Sequence, residues 1–309
     1  MEYRIASFNM NRFGAYARKD LRTIAEIITS ESLDVVALQE IFSEGKGVKR
    51  LLEELVKHEL YNWDVCFPDP VQTKDFLSQG ETYAYLWNKD KFRILEFTKL
   101  GIKERFEPRI LTKTDIGVDC SLFARSPFYI RLEPRHGGFF ELRLINIHVF
   151  YGNQMVPSIA KRQLEYKLLL EEVYPALSTR AYGQNRHPYT IAMGDYNLNL
   201  FSPGIGTADK NCYMQPIYRY NDGRRPIAVQ TVQRQLSTLK KCDESSEQVE
   251  DTIPYANNFD HFTYSPQLSN FAFKEVGTID AVRKYCNGDA EYYRNNISDH
   301  LPIIMTIEI

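Results

Sequence analysis

Carboxylate, amide and histidine side chains recur in this sequence where strand-like segments end: Asn9, Glu40, Asp195 with Asn197, Asp260, and Asp299 with His300. Hydrolytic chemistry needs an activated water, neutralisation of developing negative charge, and protonation of a poor leaving group. Carboxylates, amides and histidines can divide those tasks between them. Strand ends of an α/β sheet are where such groups meet, because loops there converge from distant parts of a chain. Singly, each has a plainer explanation: Asn9 as a turn residue, Glu40 as a solvated strand end, Asp195 as a helix or turn cap. The joint pattern is what carries weight.

The elements that must position these residues follow from hydrophobic period. A strand is predicted over Tyr3–Asn9, and a helix over Lys19–Ser32 with Leu21, Ile24, Ile27 and Ile28 at helical spacing. Asp34–Gln39 is an apolar β-rich run suited to a strand buried on both faces. A second helix fits Val48–Leu60, followed by a hairpin of Thr82–Trp87 and Phe92–Leu95 about the turn residues Asn88–Asp90. Further strands are predicted at Ser121–Ala124, Phe128–Leu132 and Phe139–Val149, the last two joined by a turn at Pro134–Gly138. A helix over Ile159–Leu177 would carry Leu164, Leu168 and Val173 on one face. Strands at Tyr189–Met193, Phe259–Tyr264, Asn270–Val276 and Leu301–Ile309 complete the pattern. Many strands with few long helices imply an α/β fold, a four-layer sandwich of two packed mixed sheets flanked by helices. With no repeat and no Pro- or Ser-rich linker, one domain over 1–309 is expected. Gly204–Asn258 reads as a long surface excursion, with a basic run (Arg224, Arg225, Arg234, Lys240, Lys241) and an acidic one from Asp243 to Asp251.

Glu40 closes its strand through Leu38-Gln39, Asp195 sits in Gly194-Asp195-Tyr196-Asn197, and Ser298-Asp299-His300-Leu301-Pro302 opens the final strand. With the strand-end Asn9, these motifs resemble the marks of the endonuclease/exonuclease/phosphatase superfamily, in the same order. Within it the chain is most similar to the deoxyribonuclease I family. The similarity rests on Phe8-Asn9-Met10-Asn11-Arg12-Phe13-Gly14, Glu81-Thr82-Tyr83-Ala84-Tyr85-Leu86, Ser121-Leu122-Phe123-Ala124-Arg125-Ser126-Pro127 and Ile145-Asn146-Ile147-His148. It extends over essentially the whole chain and is weakest across Gly204–Asn258.

The resemblance implies a metal-dependent phosphodiesterase, with DNA as substrate and endonucleolytic cleavage as the expected activity. Glu40 is the candidate Mg²⁺ ligand, with Mn²⁺ an alternative, since a hard cation takes carboxylate oxygen and is held by one or two such groups. Asn9 and Asp299 would complete or orient that shell. Asp195 is expected to position or deprotonate the attacking water, and Asn197 to donate its amide to a phosphate oxygen. His148 and His300 should flank the scissile phosphate, oriented by Glu81 and Asp260 respectively, and Arg125 should clamp a phosphate through its guanidinium fork. His58, His136, His187 and His261 read as surface or structural.

The chain departs from that family in one informative place: Ile41-Phe42 stands where the family has an arginine that enters the DNA minor groove. Arg12, Arg224 and Arg225 are candidates for phosphate contacts instead. Neither disulfide pairs nor calcium loops can be matched. The five cysteines (Cys66, Cys120, Cys212, Cys242, Cys286) lack a Cys-x-x-Cys spacing, which suits a reducing compartment. A net charge of -2 excludes a global positive field, so any polyanion must meet a local patch. With 43% hydrophobic and 25% charged residues the composition is that of a globular protein. No signal-like or membrane-spanning run is present, and an intracellular location is expected. The alternatives are a lipid-headgroup phosphodiesterase or phosphatase, and a catalytically silent scaffold. The first would need an exposed apolar loop beside the site, which the sequence does not reveal; the second would be expected to have lost one of Glu40, His148, Asp195, Asn197 or His300.

Overall fold

Period-two burial in β2 (Val35–Ile41) fixes the layering: Val35 and Ala37 face one hydrophobic core, Val36 and Leu38 another. The computed structural model describes residues 1–14, 19–58, 62–68, 80–153, 155–182, 186–200, 217–221, 226–240, 253–266 and 272–309. β2 lies parallel to β1 (Glu2–Phe13), which pairs on its other side, antiparallel, with β16 (Ile303–Glu308). The sheet runs β15 (Ala272–Thr278), β16, β1, β2, β4 (Thr82–Asn88), β3 (Trp63–Cys66).

The second sheet is larger. Its path is β12 (Ile217–Asn221), β13 (Pro226–Val232), β14 (Asp260–Tyr264), β11 (His187–Asp195), β10 (Phe140–His148), β9 (Phe128–Pro134), β5 (Phe92–Ile94). β8 (Arg109–Ile110) also pairs with β9, and a separate ribbon joins β6 (Glu96–Lys99) to β7 (Ile102–Arg105). Both large sheets are mixed. Ile5, Val35, Ala37 and Tyr85 from the first meet Leu142 and Leu144 from the second in one continuous core.

Helices cover the outer faces, as the two-sheet reading expects. On the first sheet lie α1 (Leu21–Ser30), whose Ile24, Ile27 and Ile28 are buried, and α2 (Lys46–His58), with α6 (Ala281–Tyr285) and α7 (Ala290–Asn296) contributing Val282 and Tyr293. Asp20 caps α1 by accepting from the Thr23 N–H at 3.1 Å. The second sheet is covered by α4 (Val156–Leu168) and α5 (Tyr174–Ser178), while α3 (Lys113–Ile116) is a single turn. No described helix is long and apolar enough to cross a membrane.

Four expectations are corrected. β4 and β5 are not a hairpin: they belong to different sheets, and the Asn88–Asp90 turn carries the chain across the sandwich, so that Trp87 and Phe92 enter the same core from opposite layers. Ser121–Ala124 is not a strand, because Asp119 accepts from the Ser121 N–H at 3.1 Å and winds Cys120–Leu122 into a 3₁₀ turn. The helix over 159–177 is interrupted by a π-turn at Leu169–Val173, which shifts the helical register; Leu168 and Val173 are buried but Leu164 is 52% exposed. The 204–258 stretch is more than an excursion, since β12 and β13 within it extend the larger sheet.

Candidate active site

Three adjacent strands carry three site residues in one row. β10 pairs with β11 so that His148 lies opposite Asp195, and β11 pairs with β14 so that Asp195 lies opposite Asp260. Gly194 makes this approach possible: its φ is +149°, and a Cβ there would sit 1.8 Å from the Ile147 carbonyl oxygen. The first sheet delivers Asn9 and Glu40 by a different device. Between the pairs Asn9↔Gln39 and Phe13↔Ile41 the register shifts, so that Met10, Asn11 and Arg12 oppose Glu40 alone. Glu40 takes φ +57°, with Asn11 and Arg12 at +44° and +55°. This bulge re-aims the carboxylate, and the Arg12 N–H donates to its Oε2 at 2.9 Å.

Buried amides lock the two sheets behind the site. Gln39 donates through Nε2 to Asn146 Oδ1 at 2.7 Å, and Asn146 Nδ2 returns a bond to the Leu38 carbonyl at 2.9 Å. The glutamine of the Gln-Glu pair is thus a cross-sheet tie. Asn9 Nδ2 spans Glu40 Oε1 (3.1 Å) and Asp195 Oδ2 (3.0 Å), so one amide joins the carboxylates of both sheets. Ser298 hooks the final loop to β1 by donating to the Asn9 carbonyl at 2.7 Å, and its hydroxyl accepts from the His300 N–H at 3.1 Å.

Each histidine is held by a carboxylate at its Nδ1. Glu81 Oε1 lies 2.6 Å from His148 Nδ1, and Asp260 Oδ2 lies 2.8 Å from His300 Nδ1. Both rings therefore present Nε2 to the cleft, and each Nε2 is 3.7 Å from the same atom, Asp195 Oδ2. Burial and Arg125 work against a charge on His148, yet Glu81 and Asp195 outweigh them and raise its pKa. At His300 burial is likewise overcome, by Asp260 and Asp195, and the pKa lies well above the usual imidazole range. Burial raises the Asp195 carboxyl, and Asp260 adds to the effect against the two histidines. For Glu81 the desolvation is outweighed by His148 and Arg125, which hold it below the ordinary range.

The remaining expected residues fall as follows. Arg125 is buried and donates through Nε to Glu81 Oε2 at 2.6 Å, with its Nη1 unpartnered among the described residues. Asn197, at φ +51°, donates to the Val149 carbonyl at 2.9 Å, and its N–H donates to Asp195 Oδ1 at 2.8 Å. Asp299 lies on the same cleft, 3.5 Å from Arg294. Arg12 lines the cleft too, whereas Arg224 and Arg225 lie outside the described residues. His136 and His187 are exposed, and His261 is buried away from the row with Nε2 3.0 Å from the Leu198 carbonyl oxygen.

The cleft has a volume of about 410 Å³ and includes residues that the motifs do not single out. Ser237, from the supposed excursion, donates to Asp260 Oδ2 at 2.7 Å, and Thr238 bridges to His300. Arg162 of α4 is buried and donates to the Asn197 carbonyl at 3.1 Å. Lys19 has its ammonium pKa lowered by burial, against the pull of Asp299 and Glu40. The segment after His148 exposes Tyr151 (48%), Met155 (67%) and Val156 (73%), an apolar loop the sequence does not reveal.

Two donor sets could take a cation. Asp195, Asp260 and His300 bring one ligand atom each within 4.8 Å of one another. Much of that closeness is the Asp260–His300 hydrogen bond, which together with Ser237 already occupies Asp260 Oδ2. Glu40 and Asp299 offer carboxylate oxygens on the cleft wall, the donor type a hard cation takes, and Asn9 holds Glu40 in place.

A model of the Endonuclease/Exonuclease/phosphatase family matches residues 6–300. Comparison with curated proteins gives no sequence match. Among solved structures, ANGEL2, a 2′,3′-cyclic phosphatase in complex with adenosine-2′,3′-vanadate, is similar at 15% identity over 99% of this chain and 95% of that one, with a TM-score of 0.56. Truncated Caenorhabditis elegans TDP2 gives 15% identity, 100% and 98% coverage and a TM-score of 0.54. TDP2 of D. rerio, complexed with a single-strand DNA product, gives 15% identity, 100% and 99% coverage and a TM-score of 0.53. At such identity the likeness concerns the fold.

Proposed function

Since this chain belongs to the endonuclease/exonuclease/phosphatase family, a family of metal-dependent phosphoester hydrolases, we propose that it is a phosphodiesterase that cuts DNA internally. The observation that carries the reading is the approach of two carboxylate-held imidazoles to one buried carboxylate oxygen, Asp195 Oδ2, at 3.7 Å each. A lone metal centre would not need two such histidines.

In this reading Glu40, with Asp299 and the orienting amide of Asn9, would hold the divalent cation, which when bound would supply charge neutralisation. Asp195 accepts a hydrogen bond from the attacking water and takes its proton, a role suited to a buried carboxyl whose basicity is raised. His148 and His300 present Nε2 toward the phosphate, and one of them protonates the departing alkoxide. Glu81 and Asp260 act on those rings as positioning residues, fixing Nδ1 as the donor. Asn197 and the outer nitrogens of Arg125 contact the non-bridging oxygens.

A structural relative complexed with a single-strand DNA product and another that is a 2′,3′-cyclic phosphatase, bound to adenosine-2′,3′-vanadate, favour nucleic acid as the substrate class. Tyr151, which lines the cleft, and Met155 and Val156 a few residues on are exposed, and they favour a second reading, a lipid-headgroup phosphodiesterase that rests this segment on a membrane. A screen of plasmid DNA, single-stranded DNA, RNA and sphingomyelin vesicles, each with Mg²⁺ and with His148→Ala in parallel, separates them. Nicking of covalently closed plasmid, lost in the variant, is expected. Turnover of vesicles alone would move the assignment to lipid, and attack on linear DNA with closed circles untouched would refute internal cutting.

A further inference from the structure

We propose that the outer face of the larger sheet carries a second binding site, for a small planar aromatic anion, in a cavity separate from the cleft. The cavity has a volume of about 330 Å³, and no residue lining it also lines the cleft. That size suits a small molecule. Its floor is β9, where Tyr129 and Arg131 share a face, and its walls are Phe106, Leu111 and Leu177. Tyr129 pairs with Ile145, three residues before His148, so the floor is offset from the catalytic row by roughly 10 Å along the strand.

Charge and shape together define the ligand. Arg109, Arg131 and Arg180 line the cavity against a single carboxylate, Asp115. Glu141 does not cancel this surplus, because its two oxygens are shared between Arg131 and Arg143 at 2.6 Å each. The Arg131 guanidinium is further held 3.7 Å from the Tyr182 ring centroid and 5.4 Å from that of Phe106. It is a pre-set cation, unable to swing away when the cavity is empty. Phe106 stands edge-on to Tyr129 at 5.4 Å, leaving aromatic walls against which a flat ring can pack.

An independent observation is the Tyr129 hydroxyl. It is buried and has no hydrogen-bond partner among the described residues, although Tyr129 lines the cavity. Buried hydroxyls are ordinarily satisfied, and an anionic oxygen that displaced the side chains covering this one would accept from it. The site is thus a ring slot with a phenolic donor and a cationic surround. The chemistry is shared by nucleotides and by simple aryl phosphonates or carboxylates.

The test is calorimetric titration of the full chain, in chelator, with phenylphosphonate and with 5′-AMP, and with benzamidine as a ring of opposite charge. Saturable binding of phenylphosphonate is expected, weakened about tenfold or more by Tyr129→Phe and by Arg109→Glu, and unchanged by Arg125→Ala in the cleft. Comparable binding of 5′-AMP would assign the site to nucleotides, and its absence to smaller aryl anions. The proposal is overturned if phenylphosphonate fails to saturate at millimolar concentration, if benzamidine binds as well, or if Arg125→Ala removes binding that Tyr129→Phe leaves intact. Thermal melting of each variant controls for folding, and neither Tyr129 nor Arg109 lies in the catalytic row.

Discussion

Replacing Glu81 by glutamine tests the pairing at the centre of the proposed mechanism. Glu81 makes two contacts of 2.6 Å, Oε1 with His148 Nδ1 and Oε2 with Arg125 Nε, and both partners are buried. A glutamine has the same shape but only one acceptor oxygen. If that oxygen faced His148, its NH₂ would meet the Arg125 Nε–H donor to donor, inside the protein. The oxygen therefore goes to Arg125, and the NH₂ faces His148. The imidazole must then accept at Nδ1, which moves its proton to Nε2 and removes the anion that favours its charged form. For a histidine acting in proton transfer, the wrong tautomer costs about 10²- to 10⁴-fold in turnover. Stability should fall by only about 1–3 kcal/mol, since Arg125 keeps a hydrogen bond. Glu81→Ala would do more, about 3–5 kcal/mol, by leaving a buried guanidinium unpaired. Plasmid nicking under single-turnover conditions reads the first effect and urea unfolding the second. Combined with His148→Ala, the glutamine change should add little to the single variant's loss, because residues that act as a unit are not additive. Turnover within about twofold of the parent for Glu81→Gln would refute the pairing, as would losses that simply multiply in the double variant.

Excess chelator should abolish turnover and added Mg²⁺ or Mn²⁺ restore it, given the oxygen donors at Glu40 and Asp299; full activity in chelator would contradict the cation assignment. Ser237→Ala should cost about 1–3 kcal/mol of stability, because its hydroxyl donates to Asp260 and accepts from the Phe259 and Asp260 N–H groups; an unchanged urea midpoint would count against that cluster. His261, whose imidazole is brought down to about 4 by burial, should make stability pH-dependent. The folded pKa lies below the unfolded one, so this contribution is complete above the unfolded value near 6.5 and is lost as pH falls toward 4. Roughly 2 kcal/mol should go between pH 7 and pH 5, and His261→Gln should lose less over the same interval; equal losses would show that another group titrates there.

The proposed site residues stand out in the sequence where a polar side chain ends an apolar run. Glu40 after Val35–Gln39 and Asp195 after Tyr189–Met193 stand out because burial of the strand makes their own placement costly without a purpose. What the sequence could not convey is conformation that depends on partners far along the chain. The bulge aiming Glu40 forms only against Met10–Arg12 and β4, and Gly194 reads as a turn residue until Ile147 is found against it. Burial pattern also cannot say which sheet a strand joins: Thr82–Asn88 and Phe92–Ile94 both feed one core, so a short turn between them looks like a hairpin although it links two layers. The same blindness hid Ser237 and Thr238. They lie in the stretch richest in polar residues, and nothing local marks them, yet Ser237 anchors Asp260 and Thr238 bridges to His300, more than sixty residues on. A carboxylate–histidine pair can thus be proposed from its own motif while the residues that hold it rigid cannot, since their identity is set by a contact, and a serine hydroxyl serves many contacts equally well.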